Sequence, residues 1–177
     1  MNRFSWFLLV AAVSSTLVFI SCQKEINSAS NGSGTTTLKV RMTDAPVPAD
    51  SVNIDIQSVR VNFTSDSMHW QDLNTVPGVY DLLGLQNGVD TLLAVGTVPL
   101  DTLRQIRFVL GSNNSIVVNG VNYPLTIPSG AESGLKIMVN KRLNPTLDSL
   151  VIDFDAALSV HQTGNGEYML RPVLKIK

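Results

Sequence analysis

The chain has 177 residues, 44% of them hydrophobic, and a formal net charge of −1 with no run of Lys or Arg. This length and composition suffice for one domain with a buried core, and the charge argues against a nucleic-acid partner. The single cysteine excludes an internal disulfide bond and a zinc site built from several cysteines.

The N-terminus, residues 1–21, is typical of a lipoprotein signal peptide. A short basic start with Arg3 precedes an almost wholly apolar run from Phe4 to Ile20, and the one cysteine, Cys22, follows a small residue. The run is short for a permanent span, since crossing the hydrocarbon core takes about 20 residues. We therefore expect Cys22 to be acylated. An ordinary N-terminal anchor, or a secretory signal with an incidental cysteine, is the alternative.

Residues 22–37 are predicted to form a flexible tether behind the lipid. They are rich in Asn, Ser, Gly and Thr and have too few apolar side chains to offset the entropy of ordering. The charged residues Lys24 and Glu25, just after Cys22, resemble the surface-export signal of Bacteroidota-type lipoproteins. We expect attachment to the outer membrane of a Gram-negative bacterium, facing the cell surface, with a periplasm-facing orientation as the alternative.

From Leu38 onward, polar and apolar residues alternate with a period of two, which predicts β-strands. In residues 51–63 the alternation resumes out of phase near Gln57-Ser58, which predicts a β-bulge, or two short strands joined by a bend. Tyr80–Leu85 fits either a strand or one helical turn. Further strands are predicted at Thr91–Val98, Leu103–Leu110, Leu135–Leu143, Leu150–Ala157 and Tyr168–Ile176.

The sequence SIVVNGVNYPL, which begins at Ser115, predicts a β-hairpin. Asn119-Gly120 fits a two-residue turn in which both central residues have positive φ. Counting outward from this turn places four apolar side chains on one face, in the pairs Val118–Val121 and Ile116–Tyr123.

These patterns predict an all-β fold in a single domain, residues 38–177. Many short strands are separated by clusters of Gly, Pro and Asn, and we find neither a long helix-period run nor an internal repeat. The features favour a single antiparallel β-sandwich with Greek-key connections, similar to the immunoglobulin or transthyretin folds, or a Greek-key barrel.

The residues give little support for catalysis. The chain has two histidines, His69 and His161, and it lacks a Gly-x-Ser-x-Gly elbow, a phosphate-binding glycine loop and a dinucleotide motif. Its three glutamates offer few candidates for a glycosidase pair, which is defined by separation in space. We expect the histidines to be polar residues near strand ends, and we expect no enzymatic activity and no cofactor.

Asp153 and Asp155, in the sequence VIDFDAA, are weak candidates for a metal site. On a strand they point to one side, opposite Phe154, and two like charges there need a compensating partner. We expect ion pairs with Lys39 and Arg41, which have the same spacing on another strand, or plain solvation. A hard cation such as calcium is the alternative.

Three side chains are candidates for facing a ligand: Trp70, His69 and Tyr80. Trp70 follows a polar stretch, residues 64–69, that is typical of a loop. A ring at a loop edge can stack on the C–H face of a sugar, whereas such a Trp more often closes one end of a sandwich core. Tyr168 presents the same alternatives, and an aromatic content of 6% is low for a dedicated glycan platform.

A tripeptide of Asp, then Ser or Thr, then an apolar residue begins at five of the eleven aspartates. Turn chemistry is the plain explanation, because Asp, Ser and Thr bond to nearby backbone groups and open strands. The pattern also resembles the O-glycosylation acceptor of Bacteroidota-type exported proteins. The candidate acceptors are Ser51, Ser67, Thr91, Thr102 and Ser149.

Several segments together resemble the bacterial lipoprotein family of the domain of unknown function 4382. They are LKVRMTDAP from Leu38, YDLL from Tyr80, QIRFVL from Gln105, YPLTIPSGAESGLK from Tyr123, DFDAALSV from Asp153 and RPVLKI from Arg171. The resemblance covers Leu38–Lys177, and the run from Tyr123 is its most specific part. It implies an exported, usually lipidated, β-rich domain, and it supplies no activity or catalytic residues.

We therefore predict a lipid-anchored, non-catalytic binding module of the cell envelope, whose partner is a glycan, an envelope protein or a matrix component. A rigid domain on a tether presents its end loops for binding. A structural or adhesive subunit that pairs through a sheet edge is the first alternative. A hydrolase whose site is not visible in the sequence is the second.

Overall fold

The structure is a computed structural model that describes residues 34–64, 68–128 and 134–177. The predicted signal peptide, Cys22, most of the predicted tether and Ser67 lie outside these residues. Among the residues that are described, none belongs to a helix long and apolar enough to cross a membrane.

The described residues form fourteen β-strands, one 3₁₀ helix at Leu82–Leu85 and one short α-helix, α1, at Ala156–Ser159. The prediction of an all-β domain is confirmed. The strands are β1 Thr35–Asp44, β2 Ser51–Asn62, β3 Gln71–Asp72, β4 Asn74–Thr75, β5 Gly78–Asp81, β6 Thr91–Pro99, β7 Thr102–Leu110, β8 Ser115–Val118, β9 Val121–Thr126, β10 Leu135–Arg142, β11 Leu147–Phe154, β12 Val160–Gln162, β13 Tyr168–Leu170 and β14 Leu174–Ile176.

The strands form two sheets that pack face to face as the predicted β-sandwich. The first sheet has the order β14-β11-β1-β6-β4, and the second has the order β10-β7-β2-β8-β9-β13-β12, with β3 and β5 also paired to β2. Most pairings in the described residues are antiparallel, but β1 pairs with β11, and β9 with β13, in parallel. The alternation of residues does not reveal these two pairings, because it is the same in both orientations.

The core lies between the inward faces of the two sheets. In β1, Leu38, Val40 and Met42 are fully buried, and Lys39 and Arg41 between them are partly exposed, as a period of two requires. β2, β7 and β11 also bury most of their apolar residues on one face. Burial of one such side chain stabilises the fold by roughly 1.5–3 kcal/mol. The apolar side chains that this alternation places in the core are therefore the main source of the domain's stability.

The β-bulge predicted in the second strand is present. The register of β2 against β7 shifts between Ile56 and Ser58, and Gln57 between them is exposed. Two further irregularities are not visible in the sequence pattern. One lies in the pairing of β1 with β6, and the other lies in β10, where Asn140 adopts a φ of 51°. Bulges of this kind bend a strand and increase its twist.

The β8–β9 hairpin has the predicted register and turn. Its strands pair from Val118 opposite Val121 outward. Asn119 and Gly120 have φ of 51° and 76°, as the turn type requires. The N–H of Gly120 donates a hydrogen bond of 2.8 Å to the carboxylate of Asp50, which ties the turn to the start of β2.

Replacing Gly120 by valine is expected to destabilise the domain by about 1–2 kcal/mol, because a β-branched residue is strained at positive φ. A Cβ at this position would meet no atom within 4 Å, so the loss measures backbone conformation rather than a clash. Thermal unfolding is the measurement. Gly78→Val in β5 is the matched control, since it also has open space and its φ is not positive. Equal melting temperatures for Gly120→Val and wild type would contradict this turn type.

The structure divides or reassigns parts of three predicted segments. Tyr168–Ile176 is two strands, β13 and β14, that belong to different sheets and are separated by Pro172, which cannot donate to a strand ladder. Ala157 belongs to α1 rather than to β11. Tyr80–Leu85 contains both predicted alternatives, since β5 ends at Asp81 and the 3₁₀ helix follows it.

Candidate functional site

Three cations lie side by side on the outer face of the second sheet: Lys136, Arg107 and Arg60, named here the cationic row. Each is opposite the next in the register of β10, β7 and β2. Phe108, next to Arg107, is buried in the core, so the alternation along the strand directs the arginine outward. Arg60 also pairs with Asp72 of β3, with 2.7 Å between Nε and Oδ1.

Trp70 covers the middle of the cationic row. Its ring lies over the guanidinium of Arg107, whose Cζ is 4.1 Å from the ring centre, in a cation–π contact. Trp70 precedes Asp72 by two residues, and Asp72 is opposite Arg60 in the register, so all three share the outer face. Trp70 is half-buried there and is not among the core residues, which corrects the expectation that it closes one end of the core.

Arg107, in the middle of the row, is partly removed from solvent and lies beside another positive charge. Burial, and after it the neighbouring charge of Arg60, lower the pKa of Arg107. Its Nε atom is buried and has no hydrogen-bond partner among the residues that the structure describes. Like charges directly opposite each other on a sheet repel, so a nearby anion would stabilise this face.

Tyr80 lies apart from the other two ligand-facing candidates, Trp70 and His69. His69 is exposed. Tyr80 is opposite the fully buried Ile54, so its ring packs against the core on the inner face of the second sheet. Its hydroxyl donates to the carbonyl of Val76 at 2.5 Å, and burial raises the pKa of Tyr80. These contacts indicate a role for Tyr80 in the fold.

A groove of about 300 Å³ lies towards the other end of the second sheet, between β9 and the turn that joins β12 to β13. β9 pairs with β13 from Leu125 onward, so the earlier residues of β9 face the turn across a gap. The groove is lined by Tyr123, Pro124, Thr126, Asn165, Gly166 and Glu167.

Internal contacts hold both walls of this groove. In the turn, the N–H of Thr163 donates to the carbonyl of Glu167 at 2.7 Å, and the N–H of Gly166 donates to the carbonyl of Thr163 at 3.0 Å. Gly166 has a φ of 80°, a conformation that favours glycine. In the other wall, the ring of Tyr123 packs on Tyr168, with centroids 5.1 Å apart and a tilt of 53°. Contacts within the protein therefore hold the two walls of the groove in place.

The groove combines an aromatic ring with exposed polar groups. Tyr123 is partly exposed, and the Asn165 amide and the Glu167 carboxylate are exposed beside it. Small-molecule sites typically have volumes of about 300–1,000 Å³ and join apolar or aromatic surface to a few polar groups. The sequence does not place Tyr123 near Glu167, because they meet through the parallel pairing of β9 with β13. The one available signal was Tyr168, whose ring supports Tyr123.

Asp153 and Asp155 are paired with two lysines in or next to the last strand, β14. The Nζ of Lys175 is 3.1 Å from Asp155 Oδ2, and the Nζ of Lys177 is 3.6 Å from Asp153 Oδ1. Asp155 also caps α1 by accepting the N–H of Leu158. Ion pairs of these two aspartates were predicted, but with other partners. The observed partners are Lys175 of β14 and the adjacent Lys177, whereas the predicted ones were the two cations of β1. Among the described residues, no group of three or more His, Cys, Asp or Glu side chains could hold a metal ion.

Asp44, at the end of β1, is a buried carboxylate that joins two separate segments. Its Oδ1 accepts the N–H of Ala156 at 3.0 Å, and its Oδ2 accepts the side-chain amide of Gln86 at 3.4 Å. Burial raises the pKa of Asp44, an effect that these hydrogen bonds only partly offset. The carboxylate of Asp44 therefore links the two segments, although its burial carries a desolvation cost.

The free energy of unfolding of Asp44→Asn, compared with that of the wild type, is expected to increase as the pH rises. A carboxyl with a raised pKa holds its proton more tightly when folded, so the wild-type domain loses stability as pH rises from about 4 through the folded pKa. Asparagine keeps an oxygen for the N–H of Ala156 and has no charge. Asp44→Ala removes that oxygen and should cost about 1–3 kcal/mol. Urea unfolding at several pH values is the measurement, and a pH-independent difference between Asp44→Asn and wild type would count against this explanation.

The four Asp-Ser/Thr-apolar triplets that lie within the described residues take part in turns and strand entries. Three of their aspartates accept a backbone N–H, in the pairs Asp50 with Gly120, Asp101 with Thr102 and Asp148 with Asn144. Asp90 instead pairs with the side chain of Arg41. Glycosylation stays a prediction. Ser149 is exposed, whereas the other described acceptors are partly buried: Ser51, Thr91 and Thr102.

Comparison with protein families matches residues 35–172 to the family described as "Domain of unknown function (DUF4382)". This match covers well over half of the chain and includes both the cationic row and the groove. Comparison with curated proteins and with solved structures gave no match. The chain therefore belongs to the DUF4382 family, as the segments from Leu38 onward indicated.

Proposed function

We propose that this protein is a lipid-anchored, non-catalytic binding module of the cell envelope and that it binds a glycan in the groove beside β9. The supporting observation is the placement of the Tyr123 ring, the Asn165 amide and the Glu167 carboxylate along one preformed groove. An envelope or matrix protein is the alternative partner.

The chemistry of the groove matches the two kinds of surface on a sugar. The apolar C–H face of a sugar ring packs on an aromatic face such as that of Tyr123. The Asn165 amide both donates and accepts, and the Glu167 carboxylate accepts two or more hydroxyl hydrogens. A volume of about 300 Å³ suits a small number of sugar units rather than a folded partner.

The anchor is proposed from the sequence. Cys22 would carry the acyl chains, on the outer membrane of a Gram-negative bacterium and facing the cell surface, with the periplasmic face as the alternative. From Cys22 to Gly34 the chain advances 34 − 22 = 12 residues. Even fully extended, they span at most about 40 Å, which keeps the domain near the membrane.

Cys22→Ala is expected to abolish acylation and leave an unprocessed precursor. Each buried CH₂ of an acyl chain contributes about 0.8 kcal/mol, so several chains give lasting attachment and their loss is total. Mass spectrometry of the membrane fraction is the measurement. A variant that is still cleaved after Ser21 and still acylated would exclude a lipoprotein anchor at this cysteine.

No specific observation favours either alternative function. β10, at one edge of the second sheet, has an irregularity at Asn140 and the charged residue Lys136, features that hinder pairing with another edge. A glycosidase needs two carboxylates, and Glu167 is the one carboxylate among the residues that line the groove. His161 is exposed in β12.

The binding test uses residues 22–177 with Cys22→Ser on a glycan array, followed by calorimetry with the best ligand. Tyr123→Ala and Glu167→Gln should each weaken binding at least about tenfold, a loss of ~1.4 kcal/mol. Tyr123→Phe should retain most of the affinity, because it keeps the ring. Asn122→Ala, an exposed neighbour outside the groove lining, is the matched control. A glycan bound equally by Tyr123→Ala and wild type, or no bound glycan, would refute the proposal.

A further inference from the structure

We infer that the outer face around the cationic row docks onto an anionic membrane surface and contacts its phosphate groups. The row, Lys136, Arg107 and Arg60, crosses three neighbouring strands that are about 4.8 Å apart. Within the described part of the chain, Asp72 is the one carboxylate paired with these cations. Counted over the described residues alone, three positive charges and one negative charge leave an excess of two on this patch.

The positive charges on this outer face favour the binding of an anion. Lys136, Arg107 and Arg60 are cross-strand neighbours of like charge, which repel each other, and all three side chains are at least partly exposed. A phosphate oxygen accepts from guanidinium groups with short, charge-assisted bonds. An anion above the row would therefore relieve repulsion and supply acceptors.

Apolar side chains beside the row distinguish a membrane from other anions. Met68 and Met138 are 83% and 62% exposed, the highest fractions among the exposed large apolar side chains in the described residues. Met138 follows Lys136 by two positions on β10, so it shares the outer face. Met68 precedes Trp70 by two residues. Trp is enriched at membrane–water interfaces, and exposed apolar groups gain by entering the headgroup layer.

Other polyanions fit these observations less well. A nucleic acid would select a strongly basic protein, and this chain has a net charge of −1. An acidic polysaccharide would use the cations but would leave the exposed apolar surface of Met138 in water. The row lies on β10, β7 and β2, whereas the groove lies beyond β8 in the same sheet, so the two surfaces can act at once.

The inference adds to the proposed lipid anchor, and its test omits the anchor so that the two can fail separately. Residues 22–177 with Cys22→Ser are mixed with vesicles of phosphatidylglycerol and phosphatidylcholine in equal amounts, or of phosphatidylcholine alone. Trp6 precedes this chain, so Trp70 is its sole tryptophan and reports on the row itself. We expect co-sedimentation and a blue shift of Trp70 fluorescence with the anionic vesicles only. Both should disappear in about 1 M salt, where the Debye length is ~3 Å.

Arg107→Gln, Arg60→Gln and Lys136→Gln should each weaken binding to the anionic vesicles about fivefold, the ~1 kcal/mol that one cation gains near such a surface. Lys39→Gln is the matched control, because it removes the same charge from the first sheet on the opposite face of the sandwich. Lys136→Gln has no described ion pair to lose, so it remains informative if an arginine variant unfolds. Equal losses for Lys39→Gln and the row variants, equal binding to both vesicles, or tighter binding of a heparin-type oligosaccharide would overturn the inference.

Discussion

Gly111→Ala is expected to lower the stability of the domain by about 3 kcal/mol or more, and its melting temperature by roughly 10 °C. A Cβ on Gly111 would lie 2.1 Å from Oδ2 of Asp55, which is buried in the middle of β2. That carboxylate cannot move freely, because Oδ2 accepts the N–H of Asn113 and Oδ1 accepts the side chain of Gln57. Displacing it leaves a buried charge with unsatisfied hydrogen bonds, which is among the costliest changes in a protein.

Gly84→Ala is the matched control for this substitution. Its Cβ would meet no atom within 4 Å and its φ is not positive, so alanine should be neutral or slightly stabilising there. A double-mutant cycle with Asp55→Ala tests the mechanism. Once the carboxylate is removed, Gly111→Ala should cost about 1–3 kcal/mol less than in the wild type. Additive losses would show that the clash with Asp55 is not the cause.

Phe108→Ala is expected to cost about 3–5 kcal/mol. Phe108 is 2% exposed and lies in β7 between Val59 of β2 and Leu135 of β10 in the strand register. Truncation to alanine removes most of a buried ring from the inner face of the second sheet, and flanking strands on both sides limit how far the cavity can collapse. Chemical unfolding with urea is the measurement, because its midpoint reports the loss directly.

Met138→Ala is the control for this prediction, since Met138 is exposed on the neighbouring strand and should change stability by no more than about 0.5 kcal/mol. Phe108→Leu should cost clearly less than Phe108→Ala, because much of the volume is retained. A Phe108→Ala midpoint close to that of Met138→Ala would show that β7 does not pack as described.

Features set by neighbouring residues could be predicted from the sequence. Asn119-Gly120 determines the turn locally, and pairing outward from it is a matter of counting. The irregularity near Gln57 appears as a phase slip in the strand itself. The break at Pro172 was missed, although proline is a local signal, because the apolar alternation continues across it and suggested a single strand.

The functional surfaces depend on strand order, which residue periodicity does not contain. Lys136, Arg107 and Arg60 come from three strands, and their alignment requires the registers of β10 and β2 against β7. Trp70 was identified as a ligand candidate, but its contact with Arg107 was not foreseeable. Tyr80 was chosen for its aromatic ring, and the fold uses that ring against the core.

The parallel pairing of β1 with β11 has a consequence for how the chain assembles. β1 is the first strand of the domain and lies between β6 and β11 in its sheet, and Thr37 is opposite Leu147, a separation of 147 − 37 = 110 residues. Such distant partners make folding slow, on the order of milliseconds to seconds. The first sheet cannot form completely until β11, which ends at Phe154, is available to pair with β1. The N-terminal strand of the first sheet therefore keeps one unpaired edge until residues about 110 positions later in the sequence reach it.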